Sequence, residues 1–193
     1  SIFYLAYDCP LTYWIKLFLM KNNIDPQHEI AKALALALIN RGWKIALAES
    51  CTGGLVCATL TDLAGSSDWF ERGYITYCNS AKSECVDVPA EMIESFGAVS
   101  EQVAKAMAEG AQRNANVNVA ISITGIAGPT GGSPDKPVGT VCFGWAIQES
   151  ALNGIVNTAT LTKHFNGDRQ TVREQARDFA LTHFLEILKP KNA

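Results

Sequence analysis

Ser50 and Cys51 stand side by side in "AESCTGG", residues 48–54, and either side chain can act as a nucleophile once a base removes its proton. A threonine and two glycines follow. If a strand runs into a helix here, free backbone N–H groups at the helix start can bind an anion or stabilise an oxyanion. The G-x-S-x-G pattern of a nucleophile elbow is absent. The plainer alternative is a capped helix start, with Ser50 or Thr52 bonding to backbone N–H groups.

A serine needs a base, and histidine is the usual one. The three histidines, His28, His164 and His183, are scattered, and none lies in a catalytic type of loop. Lysine can substitute, because burial lowers its pKa and frees the neutral amine to accept a proton. Lys82 in "TYCNSAK" fits that requirement, beside polar Tyr77, Asn79 and Ser80. Tyr77 could donate a hydrogen bond or relay a proton. A solvated Lys82 and a strand-end Tyr77 are the structural alternatives.

Two further stretches carry polar or flexible chemistry. "GIAGPTGGSPDKPVG" holds five glycines from Gly125 to Gly139. Such a loop can cradle a phosphate or ribose through its N–H groups, although it matches neither the Rossmann nor the Walker register. "NGDRQ" places Arg169 at a helix start, where it could clamp a carboxylate or phosphate or stay on the surface near Asp168.

Composition narrows the classes that could use these groups. The chain has 193 residues, 48% hydrophobic and 18% charged, with a formal net charge of -3. That suits one soluble domain. No basic stripe is present, so a nucleic-acid partner is not expected. The six cysteines form no C-x-x-C pair and share no ligand spacing with the histidines, so neither a disulfide framework nor a metal site is expected. The compartment read from this is a reducing cytoplasm. Residues 1–19 are aromatic and apolar, but Asp8, Pro10 and Lys16 interrupt them, which suits neither a signal peptide nor a membrane span. They read as an extension outside a single domain covering residues 20–193, or as a docked element.

Periodicity supplies the elements that must hold these residues. Helices are expected at about 26–40, 54–63, 79–88, 89–97, 100–115 and 168–188. Strands are expected at 43–48, 74–78, 117–124, 140–147 and 155–165, the last two as a hairpin. Ser100 and Asp168 read as helix caps. Strands alternate with helices early and become antiparallel late. The expected fold is a three-layer α/β/α sandwich with a mixed, mostly parallel sheet. Its ligand site should lie at the loops after the strands, at residues 49–54 and 125–139.

Five stretches in this order resemble the CinA C-terminal domain family: "AESCTGG", "LAGSSDWFERGYITYCNSAK", "GAVSEQVAKAMAEGA", "SITGIAGPTGGSPDKPVGTVCFGWA" and "FNGDRQTVREQA". The resemblance runs from about residue 30 to 187. The molybdopterin-binding-like domain of longer CinA proteins has no counterpart in it. It implies hydrolysis of the carboxamide of nicotinamide mononucleotide to nicotinate mononucleotide and ammonia. It also implies Ser50 as nucleophile, Lys82 as base and Tyr77 in support. The implied substrate-binding set is Cys51, Thr52, Gly53, Gly54, Asn79, Thr124, Gly125, Ala127, Gly128 and Arg169. No cofactor is expected, the partner is a small nucleotide, and a homo-oligomer, a dimer first, is the expected assembly. Three other readings remain at this point: a serine amidohydrolase for another small amide, a nucleotide-binding module without catalysis, and a hydrolase using Cys51.

Overall fold

The computed structural model describes residues 26–148 and 156–189. The N-terminal extension expected at residues 1–19 lies outside the described residues. Helix α1 (Pro26–Ile39) leads through a tight turn into strand β1 (Ile45–Glu49), followed by α2 (Leu55–Thr61) and β2 (Phe70–Ile75). Then come α3 (Asn79–Val86), α4 (Ala90–Phe96), α5 (Glu101–Ala115), β3 (Val119–Gly125), β4 (Thr140–Ile147), β5 (Asn157–His164) and α6 (Arg169–Leu188).

The five strands form one sheet in the order β2-β1-β3-β4-β5. β1 pairs parallel with both β2 and β3, while β3–β4 and β4–β5 are antiparallel. Only β4 therefore opposes the common strand direction, and the expected mixed sheet and C-terminal hairpin are present.

Strand alternation sorts side chains to two faces. Ile45, Leu47, Ile121, Phe143 and Trp145 join α1, α2 and α6 in one apolar core. Ala46, Ala48 and Ala120 face the other way, against α3, α4 and α5. Small strand residues on that second face let α5 sit close to the sheet. Ser122 Oγ donates to the Ala104 carbonyl at 2.5 Å, and a Cβ on Gly144 would stand 2.6 Å from the same oxygen.

Two helix starts read from sequence have the expected caps. Ser100 Oγ accepts from the Val103 N–H, and Asp168 Oδ1 accepts from the Thr171 N–H. The second strand differs from expectation: it spans 70–75 rather than 74–78. "WFERG" has the mixed burial of an edge strand, and its exposed Arg72 and Gly73 hide the apolar alternation. Tyr77 and Cys78 consequently lie past the strand, in the turn that leads to Lys82.

Candidate active site

The site forms where β1, β2 and β3 end side by side. Ser50 follows β1, and its N–H donates to the Ile123 carbonyl of β3 at 2.9 Å. On the other side Thr76, just past β2, donates its N–H to the Glu49 carbonyl at 2.8 Å. Those two bonds fix the Ser50 backbone between neighbouring strand ends. α3 starts three residues after Thr76 and turns Lys82 back toward the same point.

Lys82 is 1% exposed and Ser50 7%. Lys82 Nζ lies 3.2 Å from Ser50 Oγ, 2.9 Å from the Thr76 carbonyl and 3.3 Å from the Tyr77 carbonyl. Burial holds the lysine pKa below its ordinary value of 10.5, outweighing the opposing influence of Cys78 and Cys51. A neutral amine has two N–H donors and one lone pair. The two carbonyls take the donors, which leaves the lone pair for the Ser50 hydroxyl proton. This is the geometry of a serine activated by a lysine base.

Cys51 has another setting. Its side chain belongs to the apolar core under α6. A Cβ on Gly125 would stand 3.1 Å from its sulfur. Burial pushes the thiol up to about 12, so the thiolate needed for attack is disfavoured. The neighbouring Cys57 thiol is also pushed up, by burial and then by Glu49.

The expected cap of α2 by Ser50 or Thr52 is not found. Glu49, fully buried, takes that role: its carboxylate accepts from the N–H groups of Gly54 (2.9 Å), Val56 (3.2 Å) and Cys57 (2.8 Å). Sequence reasoning missed this residue. The available signal was a lone acid at the end of an otherwise apolar strand, which must find donors when buried. Thr52 is fully buried, and its hydroxyl is without a partner among the described residues.

The expected oxyanion donors from Ser50 to Gly54 also narrow. The Ser50 N–H is spent on Ile123, Gly53 N–H donates to the Ser50 carbonyl, and Gly54 N–H goes to Glu49. The N–H groups of Cys51 and Thr52 donate to no acceptor among the described residues. Gly53 and Gly54 adopt φ of 58° and 96°, the left-handed region that glycine enters without steric cost.

The remaining candidates divide. Tyr77 contributes its backbone carbonyl to Lys82, whereas the residue as a whole is 58% exposed and its hydroxyl accepts from Arg169 at 2.8 Å. Arg169 also donates to the Gly128 carbonyl at 2.9 Å, so it joins the glycine loop to the Tyr77 turn. Thr124 is buried, and its hydroxyl donates to the Ala98 carbonyl. Ala127 is buried in the core, so its methyl group packs rather than faces solvent. Gly125 lies at the end of β3, and Asn79 is exposed at the start of α3.

A second residue escaped sequence reasoning. Arg173 of α6 donates from Nε to the Cys51 carbonyl (3.1 Å) and from Nη2 to the Thr52 carbonyl (2.8 Å). A hollow of about 370 Å³ beside this turn is lined by Leu55, Arg169, Gln170, Arg173 and Glu174. A larger one, about 480 Å³, lies between α1, α2 and α6 around His28, Asp62 and Arg177, without Ser50 or Lys82 on its wall. The smaller hollow likewise has neither residue on its wall. Among the described residues, no group of three His, Cys, Asp or Glu side chains could hold a metal, and no helix is long and apolar enough to cross a membrane.

The chain resembles known proteins over most of its length. The profile of the CinA C-terminal domain matches residues 27–188. A nicotinamide-nucleotide amidohydrolase PncC of Enterobacter agglomerans is 47% identical over 163 residues, covering 84% of this chain and 96% of that protein. The PncC of Escherichia coli K12 is 48% identical over 79% of this chain and 89% of its own. A CinA-like protein of Syntrophobacter fumaroxidans is 48% identical, but the chain spans 36% of its length. Among solved structures, a competence damage-inducible protein A from Klebsiella pneumoniae superposes with a TM-score of 0.79 at 36% identity, over 85% of this chain and 98% of that one.

Proposed function

The chain belongs to the CinA C-terminal domain family, and from that premise we propose that it is an amidohydrolase that converts nicotinamide mononucleotide to nicotinate mononucleotide and ammonia. Ser50 is the nucleophile and Lys82 the base. The observation that carries this reading is the 3.2 Å approach of a buried lysine amine to a buried serine hydroxyl. The names of the two PncC relatives support the substrate.

The steps follow from the groups in place. Lys82 Nζ takes the Ser50 hydroxyl proton as Oγ bonds to the carboxamide carbon. The carbonyl electron pair moves onto oxygen, where the Cys51 and Thr52 N–H groups receive it. As the oxyanion collapses, the C–N bond breaks and protonated Lys82 delivers its proton to the departing nitrogen, releasing ammonia. Lys82, neutral again, takes a proton from water, and the resulting hydroxide attacks the ester carbon. The Ser50 Cβ–Oγ bond stays intact, the acyl–oxygen bond breaks, and Oγ regains its proton from Lys82. Preorganised donors in such a site are each worth about 10²–10³ in rate.

Arg169 supports the nucleotide part of the reading. It bridges Gly128 and Tyr77 at the rim, and its unspent N–H groups supply donors for a phosphate there. A panel of amides with ammonia detection tests the substrate: nicotinamide mononucleotide, nicotinamide riboside, nicotinamide and glutamine. Turnover of the mononucleotide above the others is expected. Turnover of the riboside or glutamine with none of the mononucleotide would overturn the assignment.

A further inference from the structure

Arg173 reaches the nucleophile turn from a helix more than a hundred residues later in the chain, and it does so with two hydrogen bonds. Among the described residues it forms no ion pair, so its charge is not spent on a carboxylate. One of the two carbonyls it holds, that of Cys51, shares a peptide unit with a free N–H group, that of Thr52. The Ser50 carbonyl shares its unit with the Cys51 N–H, and that carbonyl accepts from Gly53. A hydrogen bond donated to a carbonyl draws electron density through the amide and strengthens the N–H on its far side.

The turn is thus held from two sides. The Glu49 carboxylate takes the N–H groups of Gly54, Val56 and Cys57, while the Arg173 guanidinium takes the carbonyls of Cys51 and Thr52. Between them only the Cys51 and Thr52 N–H groups lack an acceptor among the described residues. We propose that Arg173 is a positioning residue that fixes the Ser50–Gly54 turn and polarises the Thr52 N–H toward the oxyanion formed on the substrate carbonyl. The inference rests on the amidohydrolase reading above. The charge of Arg173 is also felt at this turn, since it acts to lower the Cys51 pKa against the larger effect of burial.

The role predicts a loss in rate rather than in binding. Arg173→Gln keeps one amide nitrogen at the chain position of Nε, so it loses the charge and the bond to the Thr52 carbonyl, and Arg173→Lys retains charge but cannot reach both carbonyls with a planar fork. Arg173→Gln should lower kcat by about 10- to 100-fold, below the loss of a whole oxyanion donor. KM for nicotinamide mononucleotide should stay close to wild type, and the chain should remain folded at the assay temperature. Arg173→Ala should regain part of its rate when guanidinium ion is added, and Arg173→Lys should fall between Gln and wild type. The rate at which a fluorophosphonate labels Ser50 should drop by a similar factor, because that reaction also builds charge on an oxygen held at this turn.

Arg173→Gln at wild-type kcat, or a defect confined to KM, would overturn the proposal, as would an Arg173→Ala defect that follows lost stability and is not rescued. The labelling arm separates the two claims. If wild type labels in an Arg173-dependent way yet releases no ammonia from the mononucleotide, the substrate reading fails and the role of Arg173 stands. If wild type releases ammonia and the variants label and turn over normally, the role of Arg173 fails alone. If wild type does neither, Ser50 forms no oxyanion there and both fail.

Discussion

Gly110 offers a severe test of how the fold sets the distance between Lys82 and Ser50. It lies in the middle of α5, buried against the end of α3. A Cβ added there would fall inside the van der Waals sphere of the Val86 carbonyl oxygen, and would stand 2.7 Å from the carbonyl carbon. Carbon–carbon contacts are comfortable at about 3.5 Å, so the carbonyl carbon alone would require α3 to retreat by roughly 0.8 Å, and the closer oxygen requires more. Lys82 sits one turn before Val86 on that helix, with its amine 3.2 Å from Ser50. Two stability effects oppose each other. Replacing a mid-helix glycine by alanine gains about 1 kcal/mol, while overpacking costs about 1–3 kcal/mol. The net for Gly110→Ala is therefore between no change and a loss of about 2 kcal/mol. Catalysis has no such compensation, since a displacement near 1 Å can cost about 10²-fold. Urea unfolding and ammonia release measured on the same preparation should show a folded protein with kcat down by about that factor. Wild-type kcat in folded Gly110→Ala would refute the claim that α3–α5 contact positions the base.

Two further perturbations address the charges at the site. Glu49→Gln can keep at most two of the three N–H groups that the carboxylate holds, because its NH₂ must face the third; urea denaturation should show a loss of about 1–3 kcal/mol, and unchanged stability would contradict the capping role. Lys82 has a folded pKa below its unfolded one, so the folded chain has shed this proton between the two values. Stability from this group therefore rises with pH across that window and is least below it. Activity should rise with pH through the folded pKa, on an acid limb centred below 10.5. Lys82→Met should flatten the stability profile, melt no lower than wild type, and lose about 10²–10⁴ in rate; a variant that melts lower and keeps its rate would contradict both statements.

Much of this site could be read along the chain, because its main parts are local. "AESCTGG" announces a tight strand-to-helix turn, and "NSAK" sets Lys82 one turn into a short helix. The caps at Ser100 and Asp168 act over three residues and are legible for the same reason. What escaped depends on distance or burial. Arg173 meets Cys51 across 122 positions of sequence, and nothing in "TVREQA" distinguishes it from a surface arginine. Glu49 looked like part of a polar turn until its burial showed that it needed donors. Tyr77 drew attention through its ring, yet its carbonyl is what touches Lys82. The edge strand β2 was placed late because its polar residues face solvent and blur the period.

The most direct test of the account is ammonia release from nicotinamide mononucleotide by wild type, Ser50→Ala and Cys51→Ala in parallel. Both side chains lie in one turn, but only the Ser50 hydroxyl meets the lysine amine, while the Cys51 sulfur packs in the core. The account predicts turnover by wild type, near-complete loss in Ser50→Ala, and retained turnover in folded Cys51→Ala. Retained turnover in Ser50→Ala, with loss in folded Cys51→Ala, would contradict it.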